Sequence, residues 1–181
     1  ASVAVRSSAL GEDGGEASFA GQYDTVLNVQ GPEQLRHAIA RCVASASHER
    51  ARSYQLEHAG ADTITMNIVV QAMVDARAAG VVFTADPVSA RRDLLVIDAV
   101  AGLGETLVSG EATPDHYGVH SSGAIVRRQL TGTVALLSDT EIMAIAMQAR
   151  AAAAHEGHPL DLEWAIDQDG TLYWLQARPI T

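Results

Sequence analysis

Apolar and polar positions recur along this chain in patterns that sketch its elements before any single residue is weighed. Val3 to Arg6 reads as a short strand, and YDTVLNV, from Tyr23 to the Gly31-Pro32 break, as a second. Between them lies SSALGEDGGEASFAGQ, whose glycine, serine and acid are the composition of a solvated surface loop. From Glu33 to about Ala59, Leu35, Ile39 and Val43 recur at helical spacing. Arg36, Arg41, Arg50 and Arg52 fall mostly outside that stripe, and Gly60 supplies a stop. TITMNIVVQAMV, from Thr63, is β-branched and apolar and predicts a buried strand interrupted near its end by one amide, Gln71. GVVFTADPV and DLLVIDAV predict two more strands, and Ala124 to Leu130 another. Between these, AGLGETLVSGEATPDHYGV sets Gly102, Gly104 and Gly110 around a short apolar segment, where glycines either turn the chain or let it approach a ligand. Ser138-Asp139-Thr140-Glu141 fits a capping box opening an alanine-rich helix to about Glu156. The chain closes on two apolar stretches around Asp167-Gln168-Asp169-Gly170, a β-hairpin pattern. Strands and helices mix without strict alternation, so the predicted class is α+β.

Composition narrows the function classes. At 181 residues, 48% hydrophobic and 19% charged, the chain can bury a real core, as one domain or two small lobes. No apolar run approaches the roughly 20 residues needed to cross a bilayer, and ASVAVRSS is not a basic-then-apolar leader. The single cysteine, Cys42, excludes an internal disulfide and suits a reducing compartment, so a cytoplasmic location is expected. Cys42 itself is expected as a small buried hydrophobe on the first helix. A net charge of −10 argues against nucleic acid or an acidic membrane as partner. All 12 basic residues are arginine. Without lysine there is no phosphate loop of the Gly-Lys-Ser/Thr type and no lysine Schiff base. The chain does not begin with methionine, and its first strand starts at Val3 with nothing before it to supply a neighbour. A piece of a longer protein is the expectation.

The terminal hairpin carries polar residues that a plain hairpin does not require. Successive strand residues alternate faces, so Gln176 and Arg178 point together with Leu172 and Trp174, and Glu163 shares its face with Asp161 and Ala165. A turn pairing Ile166 with Thr171 sets Glu163 opposite Trp174 and diagonal to Gln176, which gathers Glu163, Gln176 and Arg178 on one face; a one-residue slip scatters them. A carboxylate beside an amide oxygen is a hard donor pair of the kind Mg²⁺ accepts, and a nearby arginine can hold an anion in its fork. A Glu163–Arg178 salt bridge with no ligand is the structural alternative.

VAVRSSALGEDGGEASFAGQYDTVLNV, IVVQAMV, GVVFTADPVS, AGLGETLVSGEATPDHYGV and DLEWAIDQDGTLYWLQARPIT follow one another as in the ATP-binding domain of the phosphoenolpyruvate synthase and pyruvate phosphate dikinase family, which rifamycin phosphotransferases share. The likeness runs from Ala1 to Thr181. It implies an ATP-grasp fold of two lobes clamping ATP, with residues 1–75 a partial first lobe and 76–181 the second. It implies that Mg·ATP passes its β-phosphoryl group to a histidine on a separate swivelling domain, releasing AMP and phosphate. The phosphohistidine then serves an acceptor domain, with pyruvate or an antibiotic hydroxyl as acceptor. By the same resemblance Arg6 contacts the ATP phosphates, Gly21 and Thr25 belong to a loop covering them, and Gln71, Met73 and Val74 form the hinge at adenine. Glu163 and Gln176 match the Mg²⁺ ligands, and Arg178 matches a second phosphate-binding arginine.

Departures bear on these roles. The family's ATP-contacting lysine lies in sequence before Ala1, and no lysine here replaces it. LGEDGGEASF lacks the proline that relatives commonly carry after the acidic pair, and Ala90 stands where many have glycine. Glu12, Asp13 and Glu16 are expected as solvating charges. His116 with His120, and His155 with His158, have no acid or cysteine partner at a persuasive spacing and are expected as surface or helix-end histidines. A non-catalytic, stand-alone ATP-binding module and a remnant that binds nothing are the readings of other classes. The set Arg6, Gln71, Glu163, Gln176 and Arg178 speaks against decay.

Overall fold

The computed structural model describes residues 2–9, 25–56, 66–87, 89, 91–108, 110 and 112–180. It is α+β, with two antiparallel sheets, and the chain divides into two compact units, Ala1–Met73 and Val74–Thr181. In the first unit, β1 (Val3–Ala9) is central to a three-stranded sheet of order β2-β1-β3, flanked by β2 (Thr25–Val29) and β3 (Met66–Ala72). Helix α1 (Gly31–Leu56) covers one face. Its apolar stripe and the inward residues of the sheet make a small core of Val5, Val29, Ala38 and Cys42, with Val3, Val26, Leu35, Ile39 and Ile68 packed on it. Cys42 is fully buried there, its Sγ donating weakly to the Val5 carbonyl at 3.6 Å. One expectation fails. The run read as a buried strand is an edge strand: among the described residues it pairs with β1 only, and Val70 is 48% exposed although it lies opposite the buried Val5 on the α1 face, so the helix does not cover the sheet out to this edge.

The second unit is a six-stranded sheet of order β7-β6-β5-β4-β8-β9, antiparallel at every pairing. Its strands are β4 (Ala76–Phe83), β5 (Leu94–Ala101), β6 (Asp115–His120), β7 (Ile125–Gln129), β8 (Leu160–Asp167) and β9 (Leu172–Pro179). The one-turn α2 (Glu105–Val108) follows β5, and α3 (Asp139–Glu156) precedes β8. On one face Ala78, Val82, Leu95, Ile97, Tyr117, Leu162, Trp164 and Ile166 meet Ile142, Ile145, Ala146 and Ala149 of α3 in the main core. The capping box is present as read: Glu141 N–H donates to Ser138 Oγ, and Glu141 Oε2 accepts from the Ser138 amide at 2.9 Å. Gly157 ends α3 in the left-handed conformation at φ 81. Glu141 also accepts from Arg77, which ties the start of α3 to β4.

The sheet tolerates no side chain at Gly80. A Cβ there would lie 1.8 Å from the Asp98 carbonyl oxygen and 3.0 Å from Trp164. Of the three glycines read as turns or ligand approaches, Gly102 (φ 73) and Gly110 (φ 72) are turn residues, and Gly104 packs against Ala79. Asp115, of the TPD segment, is 1% exposed and accepts from the Thr131 amide and hydroxyl, the Leu136 amide and the Tyr117 hydroxyl. It pins the segment leading into α3. Burial alone would raise its pKa, but these hydrogen bonds outweigh that and hold it below the ordinary value. Among the described residues no helix is long and apolar enough to cross a membrane.

Candidate functional site

Side chains on the second sheet's other face come from the residues that alternate with the core set. The hairpin β8–β9 decides which of them gather. Its turn is one residue wider than the sequence reading placed it: Ile166 pairs with Leu172, not with Thr171. Asp167 causes this, its Oδ1 accepting from the Asp169 and Thr171 amides at 3.0 and 2.8 Å while Gly170 takes φ 86. Continued without interruption, that register would pair Gln176 with Leu162 and Arg178 with Leu160, driving both polar groups into the core face. A β-bulge between Trp164 and Glu163 prevents this. Trp164 pairs with Trp174, but Glu163 pairs with Gln176 and Asp161 with Arg178, so Leu175 is the extra residue. Glu163 therefore lies opposite Gln176 and not Trp174, and Leu172 and Trp174 point away from Gln176 and Arg178. Trp174 instead donates to Gln148 of α3 at 2.9 Å.

The bulge thus places Glu163, Gln176, Asp161 and Arg178 on one face in two adjacent rows. Glu163 and Gln176 are half-buried, so a ligand has access to both. Asp161 is the member that sequence reasoning passed over, noticing it only as a strand mate of Glu163. Its Oδ1 is buried with no hydrogen-bond partner among the described residues. Burial, then the Glu163 carboxylate, pushes its pKa up to about 6, with the Arg178 guanidinium pulling the other way. An orphaned buried carboxylate oxygen costs free energy until something cationic or donating reaches it. Among the described residues no group of three or more His, Cys, Asp and Glu could hold a metal ion. The donor set fits Mg²⁺ in another way: a carboxylate and an amide oxygen supply part of the sphere, leaving the rest to phosphate oxygens and water.

Beside these rows Ala76, Ala79 and Ala165 form a second apolar cluster, with Val74, Leu103 and the bulged Leu175 packed on it. Val74, read as part of an adenine hinge, sits in this cluster. The remaining hinge residues, Gln71 and Met73, belong to the first unit, where the Met73 amide donates to the Ser2 carbonyl at 3.0 Å. In that unit Arg6 pairs with Thr25 on one side and Val69 on the other, and Gln71 pairs with Ala4. Arg6, Thr25 and Gln71 consequently share the sheet face turned away from α1. Gly21, Glu12, Asp13, Glu16 and Ala90 lie outside the described residues.

The histidine expectation needs correction. His116 Nδ1 is hydrogen-bonded to Asp98, and His120 Nε2 lies 3.4 Å from Asp93. Both acids come from elsewhere in the chain, brought opposite by the β5–β6 register, which local spacing does not reveal. His155 and His158 are exposed at the end of α3, as expected.

The family model of the pyruvate phosphate dikinase AMP/ATP-binding domain matches residues 1–134 and 126–181. The chain belongs to this family. It is 41% identical to a probable phosphoenolpyruvate synthase of Methanothermobacter thermautotrophicus over 99% of its own length and 29% of that relative's. It is 39% identical to a rifampicin phosphotransferase of Bacillus subtilis, covering 98% of this chain and 23% of the relative. A prodigiosin synthesizing transferase of Serratia marcescens is 42% identical over 100% of this chain and 23% of its own. The chain thus spans less than a third of the length of each of these relatives. Membership makes it an ATP-binding domain of phosphotransferase-type enzymes, and the face built by the bulge lies in the part of the chain matched by the second segment of the family model.

Proposed function

We propose that this chain is the Mg·ATP-binding portion of a dikinase-type phosphotransferase, an ATP-grasp module with residues 1–75 and 76–181 as its lobes. The observation that carries the reading is the bulged hairpin, which sets Glu163 opposite Gln176 with Asp161 and Arg178 in the next row. Glu163 and Gln176 hold the metal in this reading, and Arg178 and Arg6 hold phosphate. Gly21 and Thr25 belong to the covering loop, and Gln71, Met73 and Val74 meet adenine. The apolar cluster around Val74 and Leu175 supports the last assignment, because it offers a base an apolar surface next to the metal ligands.

Phosphoryl transfer asks a protein mainly for positioning and for neutralisation of charge. Each arginine does both, its planar fork fixing a phosphate while contributing on the order of 1.5–3 kcal/mol per charged hydrogen bond. The two arginines also oppose the repulsion of a polyanion by a chain of net charge −10. Bound Mg²⁺ would supply further neutralisation of the phosphates. Asp161, opposite Arg178, holds that guanidinium in line and loses its desolvation penalty when the cation arrives. The reaction proposed is cleavage of ATP to AMP and phosphate, with the β-phosphoryl passed to a histidine of another domain of the full-length protein and then to pyruvate. This chain does not turn over alone in that scheme.

A rifampicin-type acceptor is the second reading, favoured by the 39% identity to a rifampicin phosphotransferase over nearly the whole chain. The test of the nucleotide reading is calorimetric titration of the chain with Mg·ATP beside Glu163→Ala and Arg178→Ala. At least tenfold weakening in each, about 1.4 kcal/mol, is expected. Equal affinity in all three proteins overturns the assignment of this face. Binding with no phosphoryl transfer in the full-length protein favours a non-catalytic module.

A further inference from the structure

The face that carries Glu163 and Gln176 continues across the sheet, and its far end is polar as well. Following the register, one row runs Gln129, His116, Asp98, Val81, Glu163, Gln176, and the next runs Arg127, Gly118, Val96, Phe83, Asp161, Arg178. Val81, Phe83 and Val96 thus separate two polar ends by three strand spacings between β6 and β8, about 14 Å. At the far end Asp98 engages His116 Nδ1. A carboxylate accepts, so Nδ1 carries the hydrogen and Nε2 is left for a ligand.

Arg127 is exposed and makes no ion pair or hydrogen bond among the described residues. Its neighbour Arg128 is on the other face, bonded to Asp139. Gly118, opposite Arg127, contributes no side chain; a Cβ there would meet the Arg127 Cβ at 3.0 Å. In a chain of net charge −10, no acidic residue lies between Asp115 and Asp139, and Asp115 is buried on its own hydrogen bonds.

We propose that His116, Arg127 and Gln129 form a second oxyanion site on this face, taking a tetrahedral anion of the phosphate class. Arg127 supplies the permanent charge and a two-pronged donor. Gln129 supplies an amide donor. With Nδ1–H engaged by Asp98, His116 Nε2 accepts from a protonated phosphate oxygen. Asp98 lies on the far side of the ring, where it fixes the imidazole and does not touch the anion. The proposal stands on side chains that the nucleotide reading leaves unused.

The test is titration of the chain with inorganic phosphate, followed by calorimetry and ³¹P line width, with and without saturating Mg·ATP. Phosphate binding is expected to weaken at least tenfold in Arg127→Ala and in Gln129→Glu, which adds a repelling charge while keeping size. Arg178→Ala is expected to retain it, and Mg·ATP is expected not to compete. Circular dichroism of each variant checks the fold. If phosphate binds but is displaced by Mg·ATP or lost in Arg178→Ala, the anion is occupying the nucleotide's own phosphate subsite and the proposal fails. If phosphate does not bind, or binds without regard to Arg127, that arginine is a charge guarding an edge strand, and the proposal fails again. Loss of Mg·ATP binding with phosphate binding intact would overturn the nucleotide reading alone.

Discussion

Replacing Asp161 by asparagine removes a carboxyl group that the folded chain holds in its neutral form well above the usual pH. Burial and the neighbouring Glu163 raise its pKa to about 6 from an ordinary 3.8. Between those two values the unfolded chain has released its proton and the folded chain has kept it, so stability falls as pH rises through this window. At ~1.36 kcal/mol per pH unit the full penalty is about 3 kcal/mol above the window, and screening at a half-buried position brings it to about 2. Below pH ~3.8 the group costs nothing; above ~6 the whole penalty is present. Asparagine is close in shape and cannot ionise. Urea denaturation of both proteins between about pH 4.5 and 7.5 should therefore show the variant gaining on the parent by about 1 to 2 kcal/mol as pH rises. Taking the difference cancels the groups common to both. The same variant should bind Mg·ATP at least tenfold more weakly, because the amide keeps an oxygen but loses the negative charge that a bound cation would compensate. A pH-independent difference would refute the argument that Asp161 is desolvated beside Glu163. A variant both less stable and flat with pH would show the carboxylate to be a fully paired structural group.

Two further outcomes follow from the packing. Gly80→Ala places a methyl 1.8 Å from the Asp98 carbonyl oxygen, and should cost about 3 kcal/mol or abolish folding of the second unit, read by denaturation or soluble yield; a loss under ~1 kcal/mol would mean β4 and β5 are not in the described register. Asp115→Ala strands the Thr131 and Leu136 amides and the Tyr117 hydroxyl, for about 3 to 5 kcal/mol. Because its pKa is depressed, the stabilisation from Asp115 is present above the ordinary carboxylate value and is lost as pH falls through the lowered one; an acid unfolding midpoint unchanged in the variant would contradict this.

What the sequence revealed and concealed divides along a physical line. The capping box at Ser138 and Glu141 was legible because both its hydrogen bonds close within one helical turn. The final hairpin was legible from alternation and from Gly170. Its register was not, because Asp167 widens the turn by gathering the amides of Asp169 and Thr171 through side-chain geometry that no apolar pattern records. The bulge at Leu175 was hidden for a related reason: a leucine between Trp174 and Gln176 suits a regular strand equally well, and only the sheet's demand that Gln176 and Arg178 avoid Leu162 and Leu160 exposes it. The run from Thr63 looked buried because hydropathy does not say whether a strand lies at the centre of a sheet or at its edge, where Val70 is exposed even on the face that α1 covers. The acids beside His116 and His120 escaped notice since sheet register, not spacing along the chain, brings them there. Asp161 was visible but carried no signal of its own until its burial was known.

The most direct measurement of the central claim is Mn²⁺ binding by electron paramagnetic resonance, with Mn²⁺ standing in for Mg²⁺ and ATP present. The parent should hold Mn²⁺·ATP and change its spectrum from that of the metal nucleotide free in solution. Glu163→Ala and Gln176→Ala should each release it, with affinity reduced at least tenfold, while Trp174→Phe, on the opposite face of the same strand, should retain it. If the two alanine variants hold the metal nucleotide as tightly as the parent, the pairing of Glu163 with Gln176 across the bulge is only structural and the metal lies elsewhere.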